Sequence, residues 1–549
     1  MVIALAACKG VGDGGATSGA ELDGVLNLEA APIKRFDFSW EPHAEADFYR
    51  LLERPSPAAD YTQVGEDVDG EALSLTVPLH LRWGADYLLQ SCDGDGCTDY
   101  AALTVDDDLA GAVGYVKASN PGSADLFGEG VAISCAGDVL AVGAPGENSG
   151  AAGIDGEQGD NSQESAGAAY VYRRSDAGWL QEAYVKPSEI ANYGTFGFAV
   201  ALSCAGDVLA VGSPGAGRVY LFRREGEAWS EEAAVDQLRE GFADNFGVAL
   251  ALSSDGSTLA VGAPRDNTPA TGINSDIPDG EVNGAGAAYV FVRSGEQWSR
   301  QAYIKPSVID SGYDFGRGVT ISADGDTLVA GAGGADEGAA FVFTRAGTTW
   351  SEVALVRPAQ MDTNDIFGRS VALSADGQTL AVGALREDGG VGGVNDATYD
   401  NNADGSGAVY IFANQGGSWT ERAYIKALPP QDGEGFGGSV ALSADGRVLA
   451  VGLDDASASV GIGGDAADGS LHLSGGVFVY AYDDDEWSPR AFVKASNAGL
   501  HDGFGGSVAL SADGGTMAVG ARNEKGLAAG VGGAQSDNSG FRIGAAYLY

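Results

Sequence analysis

Short apolar runs separated by Gly, Asp and Ser fill the chain from residue 26 to its end, and most of them alternate with the two-residue period of strands. Between 26 and 107 the runs Arg35–Trp40, Asp47–Leu52, Ala72–Val77 and Asp86–Cys92 predict a small β-sandwich. From 111 onward the pattern repeats itself. A Phe-Gly pair opens each repeat, at Phe127, Phe196, Phe246, Phe315, Phe367, Phe436 and Phe504, and leads into an alternating strand. A turn such as Ser374-Ala375-Asp376-Gly377, a near-continuous apolar strand such as Leu380–Ala384 and a Gly-led strand such as Gly167–Tyr172 follow in turn. The fourth strand comes after a Trp, at Trp179, Trp229, Trp298, Trp350, Trp419 and Trp487, one copy fewer than the others. The missing copy stands ahead of the first repeat as Gly114-Tyr115-Val116-Lys117, while the seventh third strand runs from Gly544 to Tyr549. The expected fold is all-β: a seven-bladed β-propeller of four-stranded antiparallel blades over 111–549, its last blade closed by the N-terminal strand, preceded by the sandwich.

The Phe-Gly pairs followed some residues later by Gly143-Ala144-Pro145 or Gly262-Ala263-Pro264 resemble the FG-GAP repeat of the integrin α-chain propeller and its bacterial relatives. Leu385, Asp454 and Arg522 replace the Pro in the fifth, sixth and seventh copies. The resemblance implies calcium in the first hairpin of several repeats, held by an Asp-x-Asp-x-Asp-Gly loop. Here each hairpin carries one carboxylate, at Asp138, Asp207, Asp255, Asp324, Asp376, Asp445 and Asp513, which suits a turn and falls short of a six- to eight-oxygen cage. In the sandwich, Trp40, Tyr49 and Leu81 six residues before Tyr87 resemble a fibronectin type III module with its core Trp and tyrosine corner, whose plainest role is that of a spacer.

Composition narrows the function. Lys plus Arg is 31 against Asp plus Glu 77, a formal charge of −46, which excludes nucleic acid as a partner. No run of 18 apolar residues is present to span a membrane. Leu5-Ala6-Ala7-Cys8 resembles a bacterial lipobox with a shortened signal (1–8), and the Gly-, Asp- and Ala-rich stretch 9–25 reads as a tether, so the chain is expected to be exported and held to the cell envelope by a lipid on Cys8, or released outside it. Cys92 and Cys97 flank Asp93-Gly94-Asp95-Gly96, which predicts a disulfide across a tight turn. Cys135 and Cys204 hold the same hairpin position in adjacent repeats, but hairpin tips placed away from the ring axis would stand too far apart, so two separate thiols are expected.

Repeats one, three, five, six and seven carry insertions between the second and third strands, each with a Gly-Ile or Gly-Val step and then an acidic, Asn-rich stretch. Asp155, Asp160, Asn161, Asp276, Asp279, Asp396, Asp400, Asp404, Asp465, Asp468 and Asp537 are the binding-loop candidates, all on one face, with a protein or glycan ligand; no cofactor is assigned, and calcium among these acids stays open. A basic residue recurs in the fourth strand, at Lys117, Lys186, Lys305, Arg357, Lys426 and Lys494, and Asp236 breaks the series. Five of the chain's eight lysines at one repeat position read as exposed edge-strand charges that block sheet-to-sheet pairing. The four histidines are scattered and no nucleophile or phosphate motif occurs, so a non-catalytic binding or adhesion protein is the first reading and an extracellular hydrolase or lyase with a site in the channel the alternative.

Overall fold

The computed structural model describes residues 25–549 apart from 58, 106–108, 177, 239–243, 277–279, 335–337, 396–399, 454–459 and 468–470. The described chain is built of strands, with two short 3₁₀ turns, arranged in nine sheets. Two belong to the N-terminal region. Leu26–Ala31, Arg35–Trp40 and Ala72–Thr76 form one, and Thr62–Gln63, Phe48–Arg54, Asp86–Cys92 and Cys97–Asp99 the other, with Leu103–Thr104 at its side. Their apolar positions face each other, so Phe36 and Phe38 meet Tyr87 while Trp40 meets Tyr49. The Tyr87 hydroxyl donates to Glu53 Oε1 at 2.6 Å, a buried carboxylate also bound by Arg82.

Residues 114–549 supply seven further sheets in a propeller-like arrangement. Each is antiparallel, and in the second, for example, the order is Val200–Leu202, Val208–Ser213, Arg218–Glu225, Ala228–Asp236. The first strand of each touches the first strand of the next, and Val131–Ile133 of ring sheet 1 touches Phe504–Leu510 of ring sheet 7, so the series has no free end. The repeated glycines make this approach possible. A Cβ on Gly143 would lie 1.8 Å from the carbonyl oxygen of Gly197 in the next sheet, and one on Gly520 would lie 2.0 Å from that of Gly128, so both ends of the series interlock alike. The Phe of each pair is fully buried and meets aromatic rings of its own sheet's third strand edge-on, as Phe127 does Tyr170 and Tyr172.

The last sheet is completed from both parts of the chain. Gly114–Val116 pairs antiparallel with the strand Ala545–Leu548, with Val116 opposite Ala546 and Tyr115 opposite Tyr547.

The first hairpins converge on the axis. Cys135 N–H donates to Cys204 O, Cys204 to Ser254, Ser254 to Ala323, Ala323 to Ala375, Ala375 to Ala444, Ala444 to Ala512 and Ala512 back to Cys135, at 2.8–3.0 Å throughout. This circle of seven backbone bonds places the Cys135 and Cys204 Cα atoms 4.6 Å apart, and the two are joined by a disulfide. The expected pair of separate thiols is therefore corrected: sevenfold spacing of 4.6 Å corresponds to a radius of only about 5 Å, inside the limit for a bridge. The tips reach the axis because their orphan N–H and C=O groups satisfy one another there. Replacing both cysteines by Ser is expected to cost roughly 4 kcal/mol, the loop-closure value for a separation of 69 residues, read as a lower urea midpoint without reductant, and peptide mapping of the unreduced protein should find Cys135 linked to Cys204. The Cys92–Cys97 bridge is present as expected.

The two N-terminal sheets are docked against the ring. Lys34 donates to Gly515 O at 2.5 Å and Thr516 Oγ1 at 2.7 Å, and His80 Nε2 donates to Gly514 O at 2.8 Å, all in the first hairpin of ring sheet 7. Both groups are buried; loss of solvation brings the Lys34 pKa down to about 7 and that of His80 down to about 3, so the interface favours their neutral forms. One apolar core runs from Phe36 and Leu79 of the N-terminal region through Tyr115 to Val477 and Tyr547 of ring sheets 6 and 7. A loosely held spacer would show none of these contacts.

Candidate binding face

First strands run toward the hairpin circle and second strands away from it, so all insertions between second and third strands leave from the opposite end of the ring. They do not project freely from their roots. The Gly-Ile or Gly-Val step of each folds back along the fourth strand of its own sheet: Ile154 bridges Val185, Gly272–Ile273 pairs with Ile304 and Lys305, Gly393–Val394 with Ile425 and Lys426, Ile462 with Val493, and Val531 with Val116. The outer edge is covered by the repeat's own insertion.

That cover changes the meaning of the lysines. Lys117, Lys186, Lys305, Lys426 and Lys494 are all fully buried, so the expectation of exposed edge charges is corrected. Lys117 pairs with Glu524 at 2.6 Å, Lys186 with Glu147 at 2.8 Å, Lys305 with Asp266 at 3.3 Å, and Lys426 with Glu387. In three of these the Tyr two residues before the Lys, on the same strand face, donates to the same carboxylate: Tyr115 to Glu524, Tyr303 to Asp266, Tyr424 to Glu387. Burial lowers the pKa of Lys117, Lys186 and Lys426, and the facing carboxylates work against that, keeping the charge paired. The signal was in the sequence: an acid four residues after the Gly of the Gly-Ala step occurs in repeats one, three, five and seven, all of them long, and in neither short repeat. The short repeats carry Asp236 and Arg357 where the lysine would be.

The acidic candidates divide into structural and exposed groups. Asp155 holds a positive φ of 53° and accepts from the Tyr184 N–H at 2.8 Å, the place taken by Asn274 and Asn395 in their repeats. Asp400 accepts from Gly390 N–H, Asp465 from Ala467 N–H and Asp537 from Ser539 N–H, which brings the Asp537 pKa down. Asp160 is half-buried, its backbone carbonyl accepting from Gly150 N–H, whereas Asn161, Asp276 and Asp404 are exposed. Asp279, Asp396 and Asp468, like Cys8 and the tether up to residue 24, lie outside the described residues. In five hairpins at the other end the Asp accepts from the preceding Ser hydroxyl, as Asp255 does from Ser253 at 2.6 Å, a turn-forming use. Among the described residues no cluster of three or more His, Cys, Asp or Glu side chains is gathered for a metal.

Three cavities open on this face. A cavity of about 530 Å³ lies beside ring sheet 2, lined by Phe198, Gln237, Asn245, Val248 and Arg317 among others. One of about 420 Å³ lies between ring sheets 3, 4 and 5, lined in part by Arg265, Asn283, Asp314, Asn364 and Arg369. A third, of about 390 Å³, holds Asp362, Asp365, Glu387 and Asp388, and burial lifts the Asp365 carboxyl to about 6. The arginines escaped the sequence reading because they come from three different repeats.

Comparison with known proteins agrees with the repeat. The FG-GAP repeat profile matches residues 350–412, the fourth strand of ring sheet 4 and the first three of ring sheet 5. No curated protein matches the chain in sequence. Among solved structures it is similar to the periplasmic gluconolactonase of Pseudomonas aeruginosa at 16% identity and a TM-score of 0.40, covering 82% of this chain and 98% of that one. It is also similar to the WD40 domain of Toxoplasma gondii coronin (10% identity, TM-score 0.37, 79% and 84% covered) and to an auxiliary nutrient binding protein from Bacteroides thetaiotaomicron VPI-5482 (8%, 0.34, 94% and 94%).

Proposed function

We propose that the seven ring sheets are the blades of a closed FG-GAP β-propeller, and that the protein is an exported, non-catalytic binding or adhesion protein engaging a protein or glycan at its loop face. The observation that carries this reading is the contrast between loop roots and loop tips. Buried lysine–carboxylate pairs and edge pairing fix the roots, while Asn161, Asp276 and Asp404 stand exposed along the loops, an arrangement suited to presenting a fixed constellation of acceptors. The hairpin end is closed by its circle of bonds and carries the docked sandwich, which leaves the loop end as the free one. The two disulfides fit an oxidising compartment, and among the described residues no helix is long and apolar enough to cross a membrane. In this reading the sandwich is a fibronectin type III-like support and Cys8 the lipidated anchor.

A second reading, an extracellular hydrolase or lyase, is favoured by one feature: Asp365, raised to about 6 beside Glu387 in the 390 Å³ cavity, can hold a proton near neutral pH. A glycan and protein array probed with the full chain separates the two. Binding that falls at least tenfold in an Asp276→Asn/Asp404→Asn variant of unchanged melting temperature supports the loop face. Turnover of an array hit that is abolished by Asp365→Asn and untouched by the tip variant would sink the binding reading.

A further inference from the structure

The 420 Å³ cavity at the loop end collects cations in a chain that has few to spend. Arg317 follows the Phe315-Gly316 pair, Arg369 follows Phe367-Gly368, and Arg265 follows Gly262-Ala263-Pro264, so all three stand where a first strand begins or a second strand ends. Arg265 and Arg369 line the cavity, and Arg317 lines the neighbouring 530 Å³ one. All three guanidinium groups act on one half-buried carboxyl, that of Asp314 on the cavity wall, opposing the upward push of its burial. Three cations thus face one acid in a chain of net charge −46.

The arrangement is local. The positions equivalent to Arg317 and Arg369 in the other repeats are Glu129, Phe198, Val248, Gly438 and Gly506, so only two adjacent sheets place arginine there. Ring sheet 4 is also a short one, its second strand ending at Ala332 and its third beginning at Ala339. Among the described residues, neither Arg265 nor Arg317 is in an ion pair within 4.0 Å, unlike Arg50, paired with Asp67, or Arg293, paired with Glu232. Asn283 and Asn364 add exposed amides at the rim, and the walls include Gly284, Gly312, Gly333 and Gly334, where backbone comes close without side chains.

We propose that this cavity is an oxyanion-binding site, taking a small ligand through a carboxylate or phosphate group that Arg265 and Arg369 hold and the rim amides orient, with Arg317 adding its charge from the adjoining cavity. Guanidinium forks match both anions in geometry, and a volume of 420 Å³ suits a small molecule or the end of a longer one. The site is separate from the acidic loop tips and opposite to them in sign.

Isothermal titration of the full chain with inorganic phosphate and, separately, with malonate at constant ionic strength tests it. Saturable binding of either probe is expected, the preferred probe marking the ligand as phosphoryl or carboxylate, with affinity falling as salt rises. Arg317→Gln and Arg369→Gln should each weaken it at least tenfold, and Arg35→Gln, in the sandwich, should leave it unchanged. Asn364→Asp gives a check that does not disturb the cluster: the residue is exposed and has a φ of 77°, which Asp also tolerates, and a carboxylate there should repel the probe and weaken binding at least tenfold. The Asp276→Asn/Asp404→Asn variant should bind as the parent does, so failure of the loop-tip reading and failure of this one are distinguishable. No binding of either probe, or equal binding by the Arg317→Gln/Arg369→Gln variant, would overturn the proposal.

Discussion

Removing residues 111–120 is expected to destabilise the entire ring. The segment contains the strand Gly114–Val116, whose Tyr115 and Val116 are fully buried, and Lys117, whose partner Glu524 would be left as an unpaired buried charge. Losing the two side chains costs about 5 kcal/mol by itself, and the stranded carboxylate adds to it. For a protein of this size that is a fall of roughly 5–10 °C in melting temperature. Since each sheet leans on its neighbours around a closed series, the loss should appear in one transition shared by all ring sheets. A Tyr115→Ala/Val116→Ala variant keeps the linker and should show most of the effect by calorimetry. A melting temperature within 1 °C of the parent in both variants would show that the closing strand contributes nothing to the fold.

Glu147→Ala should be the most damaging single substitution in the long repeats. It leaves the Lys186 ammonium, fully buried and otherwise paired at 2.8 Å, without its counter-ion, and breaking a buried pair in this way costs about 3–5 kcal/mol. Lys186→Met alone strands Glu147 and should cost a similar amount. The double variant Glu147→Leu/Lys186→Met removes both charges and should recover much of the loss, because two apolar groups need no solvation to replace. In the short ring sheet 4, Arg357→Met should cost under about 1 kcal/mol, since the exposed cation there takes no part in a buried lysine–acid pair. Denaturant midpoints of the parent and the four variants test this; equal losses in the single and double variants would mean that the pair acts through packing alone.

The phase of the repeats was legible because strands, turns and glycines follow local rules, and the closing strand was legible as the one copy out of place. What the sequence left hidden depends on radius and on cover. Cys135 and Cys204 are equivalent by position, but only the distance of the hairpin tips from the axis decides whether they meet. The lysines sit on an edge strand and look exposed until the insertion of the same repeat folds over them, an interaction between segments 30 to 40 residues apart. Asp155 has the composition of a binding acid and the hydrogen bonds of a turn. Arg265, Arg317 and Arg369 become neighbours only once three repeats are set side by side, so no local window contains the signal.

The strand that completes the last sheet also imposes an order in time. Lys117 bonds to Gly544 across 427 residues of sequence, so the ribosome makes one side of that sheet long before the other. At roughly 5–20 residues per second the delay is on the order of 20–90 s. Throughout it the Gly114–Val116 strand has no partner, while six sheets can already form behind it. The ring can therefore close only once its last strand has been made and has paired with its first.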